Sequence, residues 1–171
     1  HNDWGDAVRG ADTQARIGPT RVTQAGLIPP KTVLGCSLTI FAISIVLGLI
    51  GVVRGDWPIV IVIIASVVAA ISYTGGPLRL GYLGLGDLLV LIFFGPVAVA
   101  TTYYIQSLQI DLEVISIGLG PGLLATAILA INNLRDRVTD SQAGKLTLAV
   151  RLGDRAVRKE YLIVTIAGIV L

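Results

Sequence analysis

The sequence predicts an all-α, multi-pass transmembrane helical bundle, and three observations support that fold class. Of its 171 residues, 54% are hydrophobic and only 14% are charged, whereas soluble domains carry roughly 25% charged residues. Four uncharged segments each contain at least 21 residues, enough to cross a hydrocarbon core of about 30 Å as helices. Polar stretches with glycine and proline separate these segments. We therefore expect one membrane domain over residues 1–171.

Taken in order, the elements begin with a polar, irregular stretch over residues 1–32, which contains breakers such as Gly18 and Pro19. Membrane-spanning helices are predicted at residues 33–53, 57–78, 88–110 and 114–134. Gly75, Gly76 and Pro77 should end the second helix near Tyr73. A fifth apolar run begins at Leu162. Gly95-Pro96 and Gly120-Pro121-Gly122 predict kinks within the third and fourth helices.

The two ends indicate part of a longer protein. The chain starts at His1, contains no methionine, and stops at Leu171 inside an apolar run. We therefore expect both ends to be truncated. The single cysteine, Cys36, lies within an apolar segment and can form no intrachain disulfide, so it is interpreted as a small buried side chain.

Charge orients the predicted helices in the membrane. Four crossings place residues 1–32, the loop around residues 73–87 and the stretch after residue 134 on one side. Twelve of the 13 lysine and arginine residues fall in these stretches, and only Arg54 falls in the opposite turns. Positive charge accumulates on cytoplasmic loops, so this side is predicted to be cytoplasmic.

Two acidic clusters lie on that side. Asn132, Asp136 and Asp140 are spaced by four residues, which places all three on one face of a helix. The first cluster contains Asp3, Asp6 and Asp12. Carboxylates beside a bilayer are costly without partners or a metal, so paired clusters indicate a binding site. Basic residues follow both clusters and could bind an anion; they are Arg16, Arg21, Lys145 and Arg151.

These residue types favour magnesium and a diphosphate. Magnesium takes hard oxygen ligands and usually bridges to substrate phosphates. His1 is the only histidine, which argues against a zinc site of His/Cys ligands and against a serine–histidine dyad. An apolar helical bundle next to the site could hold a long lipid tail and shield a carbocation from water. The residues alone therefore predict an enzyme that acts on a diphosphate lipid at the membrane surface.

The chain resembles the UbiA superfamily of intramembrane aromatic prenyltransferases. Four blocks carry the resemblance, and they are HNDWGDAVRGADTQARIGPTR, YTGGPLRLGYLGLGD, FFGPVAVATTYYIQ and NNLRDRVTDSQAGKLTLAVRLGDR. The family implies nine transmembrane helices, of which about four to five would lie in this chain. Its menaquinone branch implies transfer of a polyprenyl group from a polyprenyl diphosphate to 1,4-dihydroxy-2-naphthoate with loss of the carboxylate, giving demethylmenaquinone in the bacterial inner membrane.

The resemblance also implies roles for individual residues. Asp6, Asp136 and Asp140 would be catalytic. Magnesium would be held by Asn2, Asp3, Asp6, Asp12, Asp136 and Asp140. Diphosphate contacts would come from Arg16, Arg21 and Lys145, and other substrate contacts from Tyr73, Arg79 and Asn132. One departure from the general NxxxDxxxD motif is Gly10, which has no side chain to bind metal; in the menaquinone branch Asp12 takes that role.

The sequence leaves other functions open. A sister UbiA-type prenyltransferase could use another aromatic acceptor, such as 4-hydroxybenzoate or homogentisate. A cation-coupled transporter belongs to a different class and predicts charged groups near the bilayer midplane. The four predicted spans carry no charge, which disfavours a transporter. A purely structural membrane subunit would not need paired acidic clusters.

Overall fold

The computed structural model describes residues 1–10 and 17–171, and within these ranges every regular element is a helix. The helices are α1 (Asn2–Val8), α2 (Pro30–Thr74), α3 (Gly86–Ile92), a π-helical turn (Phe93–Val97), α4 (Ala98–Ser107), α5 (Leu112–Ile117), α6 (Leu119–Arg135), α7 (Arg137–Gln142), α8 (Leu148–Leu152) and α9 (Asp154–Val170). Among the described residues, three helical stretches are long and apolar enough to cross a membrane: Pro30–Thr74, Gly86–Ser107 and Leu112–Arg135. The prediction of an all-α membrane bundle is confirmed.

Helix α2 covers two of the predicted spans because it folds back on itself at Asp56. That residue has non-helical backbone angles, φ 60° and ψ −156°. A Cβ on Gly48 would lie 2.8 Å from Cδ1 of Ile63, although 15 residues of straight helix would separate the two by about 22 Å. The His1 ring packs on Phe41 and also lies against Gly75. The two ends of α2 therefore meet beside α1, and the turn lies at the far end.

The remaining spans meet where their backbones come closest, at Gly95, Gly118 and Gly122, which we name the glycine seam. A Cβ on Gly95 would lie 2.6 Å from the Gly118 carbonyl oxygen and 2.9 Å from Cα of Gly122. Gly95 lies in the π-helical turn together with Pro96, and Gly118 separates α5 from α6. The kink predicted at Gly95-Pro96 therefore occurs where two helices need close approach. The kink predicted at Gly120-Pro121-Gly122 does not: α6 runs through these residues, and the break lies earlier, at Gly118.

At the end of the bundle opposite α1, polar side chains cap the helix ends. The Arg54 guanidinium donates to the carbonyl oxygens of Ile105 and Gln106 at the end of α4. The Tyr104 hydroxyl donates to the Gly55 carbonyl oxygen over 3.1 Å. These bonds satisfy carbonyl groups that the last turn of a helix leaves without partners, and they tie the α2 turn to α4.

Cys36 is exposed rather than buried. It lies near the start of α2, on a helix whose apolar side chains are mostly exposed. Such a surface suits contact with lipid, which is as apolar as a protein core, so an apolar segment does not imply burial inside the bundle.

Candidate active site

Helix α1 places the first acidic cluster against the end of α2 and the loop that follows it. Asp6 is only 4% exposed, and its Oδ1 accepts a hydrogen bond of 2.9 Å from the Tyr82 hydroxyl. Asn2 Oδ1 accepts a hydrogen bond of 3.0 Å from the hydroxyl of the fully buried Thr74. These bonds hold the first cluster at the same end of the bundle as the loop over residues 75–85.

The second cluster lies at the junction of α6 and α7. The chain leaves α6 at Arg135 and enters α7 at Arg137, with Asp136 between them. The N–H of Asp136 still donates to the Asn132 carbonyl, and the N–H of Asp140 donates to the Asp136 carbonyl. These bonds connect residues four apart, so the helical spacing of Asn132, Asp136 and Asp140 continues through the junction. The Asp136 carboxylate accepts two hydrogen bonds from its neighbour Arg135, of 2.8 and 2.7 Å.

Lys145 joins the two clusters. Its Nζ lies 3.7 Å from Asp6 Oδ2 and 3.7 Å from Asp140 Oδ1. Asp140 is 6% exposed, so both carboxylates are almost entirely removed from water. Residues from opposite ends of the chain thus share one ammonium group, as the sequence predicted for two clusters that face one site.

Burial changes the ionisation of this group of residues. It raises the pKa of Asp140 to about 6; the nearby carboxylates of Asp136 and Asp6 add to the rise, while Lys145 opposes it. Burial also raises the pKa of Tyr82, and the negative charge of Asp6 and the hydrogen bond to it raise it further. Tyr82 therefore stays a hydrogen-bond donor at neutral pH.

Two adjoining cavities open beside these residues. The polar cavity has a volume of about 440 Å³, and its lining includes Asn2, Asp3, Asp6, Arg21, Asn132, Asp136 and Lys145. The apolar cavity has a volume of about 750 Å³, and its lining includes Phe41, Ala69, Leu89, Phe93 and Phe94. Asn2, Asp3, Arg21, Tyr73 and Leu129 line both cavities. A ligand with a charged head and an apolar tail would fit such a pair.

Tyr73 stands at this junction and is held by the following loop. The Gly81 N–H donates to its carbonyl oxygen over 2.9 Å, and a Cβ on Gly81 would lie 3.1 Å from the Tyr73 ring. A Cβ on Gly86 would lie 2.9 Å from the Tyr73 hydroxyl oxygen. The two glycines therefore allow the loop and the start of α3 to pack directly on the phenol.

Most of the predicted site residues lie in the described part of the chain. Asn2, Asp3, Asp6, Arg21, Tyr73, Asn132, Asp136 and Lys145 line the polar cavity, and Asp140 reaches it through Lys145. Asp12 and Arg16 lie outside the described residues. The Arg79 guanidinium lies 5.9 Å from the centre of the Tyr82 ring, and Arg79 is not among the residues that line the two cavities.

Sequence reasoning missed three residues that hold the site together: Thr74, Tyr82 and Arg135. Each supports a predicted residue, as described above for Asn2, Asp6 and Asp136. Tyr82 carried a usable signal, because it is the second tyrosine in the loop block that contains Tyr73. The partner of Tyr82, in contrast, depends on how the loop folds.

The polar cavity offers oxygen atoms of the kind that magnesium binds. Within residues 1–10 and 17–171, no group of three or more His, Cys, Asp or Glu side chains could hold a metal ion by itself. Magnesium needs only one or two carboxylates when water and phosphate supply the other oxygens. Asp3 Oδ1 is buried and has no hydrogen-bond partner among the described residues, which leaves an oxygen available at the cavity.

Comparison with known proteins gives a consistent family. The chain is 46% identical to 1,4-dihydroxy-2-naphthoate octaprenyltransferase of Haemophilus influenzae over 158 residues. This alignment covers 89% of the chain and 51% of the relative. It is 40% identical to the protein of that name from Mycobacterium tuberculosis, over 98% of this chain and 58% of the relative. It is also 40% identical to the Escherichia coli protein of that name, over 94% of this chain and 54% of the relative. The chain thus spans about half the length of these relatives.

No solved structure matches the chain. The family model described as the UbiA prenyltransferase family matches residues 1–171, the whole chain. With that match and relatives of this similarity, the chain belongs to the UbiA prenyltransferase family.

Proposed function

We propose that the full-length protein transfers a polyprenyl group from its diphosphate to 1,4-dihydroxy-2-naphthoate, in a magnesium-dependent reaction that also removes the carboxylate. The observation that supports this most is the pair of cavities, one lined by both acidic clusters and the other by apolar side chains. Five similar relatives carry the name 1,4-dihydroxy-2-naphthoate octaprenyltransferase, which supports the choice of acceptor.

The polar cavity would receive the diphosphate. Asn2, Asp3, Asp6, Asp136 and Asp140 would hold magnesium through oxygen atoms. Bound magnesium would supply the positive charge that makes the diphosphate a better leaving group. Arg21 and Lys145 line the same cavity and would bind the diphosphate oxygens directly, since charge-assisted hydrogen bonds are the strong ones.

The apolar cavity would receive the prenyl chain and keep water from its reacting carbon. The bond between that carbon and the diphosphate oxygen breaks, and the electron pair leaves with the diphosphate. A naphthoate ring carbon then forms the new carbon–carbon bond. That carbon gives up its proton. The carbon–carboxylate bond then breaks with release of CO₂, its electron pair stays on the ring carbon, and a proton takes the place of the carboxylate. Tyr73, which lines both cavities, would position the acceptor, and Asn132 would offer its amide from the polar side.

The same proposal includes a place in the cell. Twelve of 13 basic residues lie on the side that carries the acidic clusters, and positive charge favours the cytoplasmic side. We place the active site at the cytoplasmic face of a bacterial plasma membrane.

The test uses full-length protein in membranes supplied with magnesium, a polyprenyl diphosphate and a panel of aromatic acceptors. Asp6→Ala and Asp136→Ala are compared with wild type and with Asp154→Asn, whose carboxylate is half exposed and paired with Arg158. We expect a prenylated 1,4-dihydroxynaphthalene, or the naphthoquinone that air oxidation makes from it, from wild type and Asp154→Asn. We expect loss of product in the other two variants and on chelation. If only 4-hydroxybenzoate or homogentisate gave a product, the proposed acceptor would be wrong. Cation flux without any product would show that the protein is a transporter and that the proposed enzyme activity is wrong.

A further inference from the structure

Lys145 is the shared counter-ion of two buried carboxylates. Asp6 and Asp140 are 4% and 6% exposed, the Lys145 side chain is 16% exposed, and its Nζ is 3.7 Å from an oxygen of each acid. Buried charges are costly unless they are paired. Before any ligand binds, Lys145 supplies the positive charge that these carboxylates need.

The surrounding backbone holds Lys145 over the acids. The Lys145 N–H donates to the Asp140 carbonyl oxygen over 2.8 Å, and the next N–H, of Leu146, donates to the Tyr82 carbonyl oxygen over 3.0 Å. The ammonium nitrogen lies 5.7 Å from the centre of the Tyr82 ring. Tyr82 also donates to Asp6, so one tyrosine fixes both the lysine segment and the first acid.

We propose that Lys145 occupies the electrostatic place of a divalent cation between Asp6 and Asp140, so that the cation binds well only together with a diphosphate that gives the displaced ammonium group a new partner. This inference rests on the proposed function. It assigns Lys145 a positioning role before substrate arrives, in addition to the diphosphate contact already proposed.

Electrostatics gives the two effects of Lys145 opposite signs. A cation near both carboxylates lies close to the ammonium group and is repelled by it, so Lys145 weakens binding of the cation alone. A diphosphate brings negative charge that attracts the cation and Lys145 together. Since coupling between two ligands is reciprocal, the cation must also tighten diphosphate binding.

The experiment measures binding rather than turnover, with full-length protein in detergent micelles. Mn²⁺, which accepts the same oxygen ligands as magnesium, is titrated with and without inorganic pyrophosphate. The variants are Lys145→Gln, Lys145→Arg, which keeps the charge, and Lys159→Gln, which removes an exposed lysine. We expect Lys145→Gln to tighten binding of Mn²⁺ alone by about tenfold and to weaken pyrophosphate binding by about tenfold, within the usual range of coupling. Lys145→Arg should stay closer to wild type than Lys145→Gln does, because it keeps the charge, and Lys159→Gln should resemble wild type.

The outcomes separate this inference from the proposed function. If wild type binds Mn²⁺ with pyrophosphate but Lys145→Gln leaves unchanged or weakens the affinity for Mn²⁺ alone, the inference is overturned and the proposed function stands. If wild type binds no Mn²⁺ even with pyrophosphate, the magnesium-dependent function itself is wrong. If Lys145→Gln does not fold, the test uses the Mn²⁺ affinity of wild type with and without pyrophosphate. Equal affinities overturn the inference, and tighter Mn²⁺ binding in the presence of pyrophosphate supports it.

Discussion

The glycine seam and the candidate active site are both places where distant parts of the chain come close, but different atoms make the contact. In the seam, the backbone of Gly95 packs on that of Gly118 and Gly122, with no side chain between them. In the site, side chains contact side chains, as Tyr82 contacts Asp6. The glycines of the seam offer no side chain to a ligand, whereas Asp3 Oδ1 in the site has no hydrogen-bond partner among the described residues.

This difference separates stability from function. Backbone atoms in the seam cannot move aside independently, so an added atom there must push helices apart. The acids of the site are buried at a cost that binding of a cation would offset. Changes in the seam should therefore lower the free energy of unfolding, and changes in the site should lower activity first.

The largest effect is expected from Gly122→Ala in the seam. Its Cβ would overlap the Leu91 carbonyl oxygen and lie 3.0 Å from Cα of Gly95. We expect the free energy of unfolding to fall by about 3 kcal/mol, as for severe overpacking, with little folded protein recovered in detergent. Gly35→Ala is the control, because nothing lies within 4 Å of its Cβ position. Equal melting temperatures for the two variants would contradict close packing in the seam.

Asp140→Asn should produce the opposite pattern. Removing the buried charge avoids the cost of its desolvation, so the melting temperature should stay near that of wild type. Prenyl transfer should fall by about 100-fold, which is the usual scale for losing one electrostatic contact at a reacting centre. Melting curves and product formation are measured on the same preparation. A loss of stability as large as that of Gly122→Ala would place Asp140 with the structural residues instead.

Gly86→Ala tests a glycine that belongs to the site rather than to the seam. The new Cβ would lie 2.9 Å from the Tyr73 hydroxyl oxygen and should displace the phenol, which we expect to lower activity by about tenfold. Tyr73→Phe removes that oxygen. Adding Gly86→Ala to Tyr73→Phe should therefore cost much less than adding it to wild type. An equal cost in both backgrounds would show that Gly86 acts independently of Tyr73.

The smallest effect is expected from pH. Burial raises the pKa of Asp140 to about 6, so this carboxyl is neutral below that pH and ionised above it, with Asp6, Asp136 and Lys145 facing it. Cation binding needs the ionised form. Activity at subsaturating magnesium should be about twofold lower at pH 6 than at pH 8, because half of the Asp140 population is then protonated. A profile that is flat between these values in wild type would argue against this role.

Sequence predicted the spans well, because length and lack of charge decide them. It also predicted that the two acidic clusters meet, since the even number of crossings places both on one side. It did not predict that Asp136 pairs with its neighbour Arg135 while Asp140 pairs with Lys145. Spacing gives the face of a helix, but these partners depend on the break at Asp136 and on the turn after α7, where Gly144 has φ +69°.

The fold-back of α2 also provides a convenient place for a reporter. Asp56 is exposed at the turn, at the opposite end of the hairpin from α1 and the cavities, and loop tips accept insertions better than packed segments do. An epitope or a labelled cysteine introduced there would be reached from one side of the membrane, and one introduced at the exposed Leu78 would be reached from the other. A single molecule thus offers paired positions for measuring its own orientation, without altering any residue that lines the cavities.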